Sequence, residues 1–128
     1  MTAFVRLAVL TIFLMGAPSV TLAHAAMVKA DPGPRAVTSQ SPSTIRLWFN
    51  EPVEEAFANV MLETDGGIPV KGLGKPTVDP VDKKLLVVPV PELPPGLYKV
   101  KYKVLSVDGH IVDWGYSFRV QGTAQENE

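Results

Sequence analysis

The sequence predicts an all-β sandwich, on three observations. Twelve prolines and 10 glycines in 128 residues break the chain into short runs. Within several runs apolar and polar side chains alternate, the two-residue period of a half-buried strand. Past the first two dozen residues no stretch sustains a helical period. Short strands between turn signals suit two packed sheets, and the expected class is one Ig-like Greek-key β-sandwich domain.

The elements follow in chain order. Residues 1–23 read as a secretory signal, with Arg6 as the only charge, an apolar run from Leu7 to Met15, and a small-residue stretch from Gly16 to Ala23. The apolar run falls short of the roughly 20 residues that span a bilayer. The sandwich is expected over residues 24–121. Ile45, Leu47 and Phe49 alternate with Arg46, Trp48 and Asn50 in a strand closed by Pro52. A second strand runs from Asn59 to Thr64, and Asp65-Gly66-Gly67 should turn it back as a hairpin through Ile68 to Val70.

A third strand spans Lys84 to Val90, and its prolines fit an edge and an exit turn better than a polyproline ligand. After the Pro94-Pro95-Gly96 turn, Tyr98, Val100, Tyr102 and Val104 share one face. Lys99, Lys101 and Lys103 share the other, where they read as the charged guard of an edge strand rather than an anion site. Tyr116, Phe118 and Val120 mark the last strand, which leaves Val107 to His110 as the connection between two neighbours. Residues 122–128 read as a polar tail.

Composition narrows the function. Twelve Lys and Arg against 13 Asp and Glu give a net charge of −1, no footprint for nucleic acid. The absence of cysteine excludes thiolate nucleophiles, zinc fingers and iron–sulfur clusters. Beyond the signal only Met27 and Met61 remain, too few for a thioether cluster.

The chain has two histidines, His24 and His110. A signal peptidase cut after Ala23 would make His24 the amino terminus, so one residue would offer an α-amine and an imidazole as a chelate. Asp108 and His110 add a carboxylate and a second imidazole. If their segment is extended both side chains point the same way, and Gly109 lets the backbone turn between them. Nitrogen and oxygen donors of this kind suit a tetragonal Cu(II) ion, with zinc as an alternative occupant. The amine, of pKa roughly 7.7 to 8.0, must lose its proton to bind, so binding should weaken as pH falls. A cut after Ala25, at the A-x-A pattern Ala23-His24-Ala25, would instead discard His24.

With these residues in view the chain resembles the CopC family of bacterial periplasmic copper-binding proteins. The resemblance rests on His24-Ala25 with Asp31-Pro32, Leu47-Trp48-Phe49-Asn50-Glu51-Pro52-Val53, Pro95-Gly96-Leu97-Tyr98-Lys99-Val100, Ser106-Val107-Asp108-Gly109-His110 and Phe118-Arg119-Val120. It implies a β-sandwich that binds one Cu(II) ion through His24, Asp108 and His110, with Glu51 beside the site. It also implies a carrier or buffer in copper homeostasis or resistance, without catalytic turnover, and an inner-membrane transporter of the CopD type as partner. Trp114 stands where the family commonly has glycine; it reads either as packing between strands or as a contact surface. The methionines and extra histidine of the family's Cu(I) site are missing. Two rival readings are a histidine-brace copper monooxygenase, which a coordinating Asp108 would obstruct, and a secreted interaction module without metal.

Overall fold

The computed structural model describes residues 25–122. His24, the signal segment 1–23 and residues 123–128 of the tail lie outside the described residues. Eight strands form two sheets: β1 (Met27–Asp31), β2 (Val37–Thr38), β3 (Thr44–Phe49), β4 (Asn59–Thr64), β5 (Thr77–Val78), β6 (Leu85–Pro89), β7 (Gly96–Leu105) and β8 (Ile111–Val120). One sheet has the order β1-β3-β6-β5, the other β2-β8-β7-β4. All pairings are antiparallel except β2 with β8.

This is the strand order of an immunoglobulin-type Greek key. β1, β3, β6 and β5 take the places of strands A, B, E and D, while β4, β7 and β8 take those of C, F and G. Tyr98 supplies the tyrosine corner of such folds, because its hydroxyl at the start of β7 donates to the Pro94 carbonyl four residues upstream. The alternation read from the sequence is the packing that results. Ile45, Leu47 and Phe49 from one sheet meet Val100, Tyr102, Val104 and Phe118 from the other, all buried. Phe49 packs edge-on against Tyr102 at 5.7 Å between ring centres.

Two readings need correction. β7 is not an edge: it lies between β4 and β8, so its lysines line the solvent face of a central strand. Lys101 spans that face to Glu63 on β4, at 2.9 Å. Trp114 is not interior packing either. It faces inward by strand parity, opposite buried Tyr102, yet is 69% exposed. The strands β1, β2 and β5 have no clear alternation in the sequence. The expected hairpin return over residues 68–70 occurs as a single bridge, Glu63 to Pro69, with Val70 N–H donating to Leu62.

Candidate metal centre

The connection between β7 and β8 is a tight turn with defined chemistry. Ser106 and His110 face each other across the three residues Val107, Asp108 and Gly109. Ser106 N–H donates to the His110 carbonyl (2.8 Å), and Gly109 N–H donates back to the Ser106 carbonyl (2.9 Å). Gly109 has φ of 87°, the left-handed conformation that a three-residue hairpin loop places at its last position. Asp108 therefore sits at the apex of a turn and is exposed, while His110 re-enters the strand half-buried. The two are related by a turn and not by alternation along an extended segment, which corrects that premise of the sequence reading.

Ser106 holds this geometry. It is the one buried polar residue among the described residues, 1% exposed, and its Oγ accepts the His110 backbone N–H at 3.1 Å. Nothing in the sequence distinguishes this serine from a surface loop residue. Only its place two residues after Val104, in step with the buried face of β7, hints at burial.

A second wall comes from the segment after β3. Val107 N–H donates to Pro52 (3.0 Å), Glu54 N–H donates to Leu105 (2.8 Å), and Val53 bridges Ser106. On its other side the same segment grips the start of the described chain. Asn50 N–H donates to Ala26 (2.9 Å), and Ala26 N–H donates to Asn50 Oδ1 at 2.8 Å. Glu51 thus lies between a residue bonded to Ala26 and a residue bonded to the Asp108 turn. Backbone bonds bring together Asp108, His110, Glu51 and the chain two residues downstream of His24.

Within this junction two polar side-chain atoms are buried and lack a hydrogen-bond partner: Oε2 of Glu51 and Nδ1 of His110. Orphaned buried acceptors and ring nitrogens are rare, since an unmade bond costs about 1–3 kcal/mol. No group of three or more metal-binding side chains is complete among the described residues. The His110 imidazole and the Asp108 carboxylate lie on one turn, and described residues alone do not complete a donor set around them.

Residues 27–121, every strand of the sandwich, match the CopC domain family. The chain belongs to the CopC family. Protein YobA of Escherichia coli K12 is 35% identical over 115 residues, covering 90% of this chain and 91% of YobA. Copper transport protein CutJ of Bacillus subtilis is 29% identical over 113 residues, but this chain spans only 21% of CutJ's length. The crystal structure of CopC from Methylosinus trichosporium OB3b superposes with a TM-score of 0.73 at 32% identity, over 82% of this chain and 99% of that one. Among the described residues of this CopC domain no helix is long and apolar enough to cross a membrane.

Proposed function

We propose that this CopC-family protein is a periplasmic carrier or buffer for one Cu(II) ion, bound by His24, Asp108 and His110, in copper homeostasis or resistance. The observation that carries the reading is the pair of partnerless buried atoms, His110 Nδ1 and Glu51 Oε2, at the junction where the chain's start meets the Asp108 turn. Cleavage after Ala23 makes His24 the amino terminus. Ala26 is tied to Asn50, and two residues reach at most about 7 Å, so an amino-terminal His24 would be within covalent reach of this junction.

The roles follow from the donors. His24 chelates through two nitrogens, His110 adds an imidazole, and Asp108 adds an anionic oxygen that offsets the charge of the ion. Glu51, whose buried Oε2 has no partner, would stand beside the site and add negative charge near the bound ion. Four such donors would suit Cu(II) as bound cargo, and the proposed role is binding and release without turnover. An inner-membrane transporter of the CopD type is the recipient.

Native mass measurement of the secreted protein with one equivalent of Cu(II) tests this directly. The expected result is a chain beginning at His24 that keeps one copper and loses it when His110→Ala is introduced. A chain beginning at Ala26, or undiminished copper in that variant, would overturn the assignment.

A further inference from the structure

The strand that leaves the metal turn has an open edge. Along β8 the even-numbered residues exchange backbone bonds with β7, and the odd-numbered ones turn their peptide groups the other way, as the links from Arg35 N–H to Ser117 O (2.7 Å) and from Arg119 N–H to Ala36 O (2.8 Å) demonstrate. β2 covers β8 only at Arg119 and Val120. Upstream the N–H and C=O groups of Ile111, Asp113 and Gly115 face outward and meet no protein partner among the described residues.

Apolar surface borders the same edge. β1 and β8 both run away from the metal end and are joined farther along by the Tyr116 hydroxyl, which donates to Pro32 O at 2.8 Å. β8 is bare upstream of its pairing with β2, and on that stretch Trp114 is 69% exposed and Ile111 65%. Natural sheets usually blunt such an edge with lysine, proline or a covering segment. The only charge on this one is Asp113, which makes no ion pair or hydrogen bond among the described residues, although Lys103 stands opposite it on β7.

We propose that the Ile111–Gly115 edge is a β-augmentation site for an extended partner segment carrying a cation opposite Asp113 and an apolar side chain against Trp114. Asp113 decides the occupant. A second copy pairing antiparallel through all three free residues would set Asp113 against Asp113, and like charges directly opposite are destabilising. A cationic strand reverses that sign while using the same backbone groups, and Trp114 supplies the aromatic contact common at interface anchors. A segment docked here lies alongside the strand that carries His110, but the site itself does not depend on bound copper.

Amide exchange and chemical shifts of the ¹⁵N-labelled protein, titrated with the blocked pentapeptide Thr-Val-Lys-Val-Thr, test this. The central lysine of an antiparallel guest would stand opposite Asp113. Slowed exchange at Ile111, Asp113 and Gly115 with a shift of the Trp114 indole is expected, and binding should be at least about threefold weaker when glutamate replaces that lysine. Asp113→Lys should invert the preference while leaving copper uptake at its original level. Absence of protection at these amides, protection mapping elsewhere, or equal response to both peptides would overturn the proposal. Copper retention in the same samples reports separately on the metal site.

Discussion

Replacing Ser106 by alanine removes one oxygen from the base of the metal turn and little else. Its Oγ accepts the His110 N–H at 3.1 Å, and its side chain is 1% exposed. Water cannot easily take its place. A buried donor left without its acceptor costs about 1–3 kcal/mol, and the smaller side chain adds only a slight loss of packing. For a domain of this size about 1 kcal/mol corresponds to roughly 4–8 °C in Tm. Ser106→Ala is therefore expected to melt roughly 4–24 °C lower. Because His110 loses its backbone anchor, Cu(II) affinity should fall by roughly tenfold to a hundredfold, the cost typical of removing a group that orients a ligand. Val104→Ala serves as the control. Val104 is equally buried on the same strand but bonds to nothing in the turn, so its loss should cost about 2 kcal/mol of stability and leave affinity within about twofold. Thermal melts with copper titration followed by electron paramagnetic resonance separate the two. Equal affinity losses in both variants, or none in Ser106→Ala, would refute the idea that this serine positions His110.

Two further outcomes follow from the same geometry. Gly109→Ala forces a side chain into a φ of 87°, so stability should drop by about 1–2 kcal/mol in denaturant melts even though open space surrounds the position. Burial raises the pKa of all three tyrosines, Tyr98, Tyr102 and Tyr116, and for Tyr116 the neighbouring Tyr102 and Asp31 push in the same direction. Since the folded values lie above the unfolded value near 10, their contribution to stability is complete below that pH and is lost as pH rises through the folded values. Absorbance at alkaline pH should show tyrosine ionising together with unfolding, and independent titration of any of the three near pH 10 in the folded protein would contradict this.

The parts of the fold that were legible in the sequence are those where burial on one face forces alternation. β3 and β7 bury every second residue, so Ile45, Leu47 and Phe49 or Tyr98 to Val104 announce both strand and facing, whereas β4 buries Leu62 alone. β1 and β5 are edges, and β2 is a two-residue link to β8; none has enough buried positions to create a period. The central place of β7 was hidden for a related reason, because a lysine row looks the same on an edge and on the open face of an inner strand. At the proposed site, residue types suggest candidate donors, but the local arrangement was not readable. Asp108 and His110 are set by a turn whose closure depends on Ser106, and Glu51 is placed by bonds from its neighbours Asn50 and Pro52 to Ala26 and Val107. Most of those bonds join backbone atoms, which every residue carries, and the two accepted by side chains, Asn50 Oδ1 and Ser106 Oγ, come from residue types common in any loop, so no sequence pattern marks them.

The way the junction is assembled has a consequence for binding. The segments carrying Glu51 and His110 are joined by Val107 N–H to Pro52, by Glu54 N–H to Leu105 and by Ser106 within the turn, so their relative position is set by folding. In the proposed site the remaining donors come from His24, two positions upstream of the anchored amide of Ala26. Its two nitrogens belong to one residue, so a chelate through them would carry a small ordering cost. With the ligands proposed above, protonation of the α-amine would remove one of four donors without touching the backbone bonds that join the sheet ends, and the His24 imidazole, Asp108 and His110 would hold copper less tightly. Acid should accordingly discharge the metal from a protein that stays folded, with the amide spectrum of β7 and β8 unchanged while the copper signal disappears.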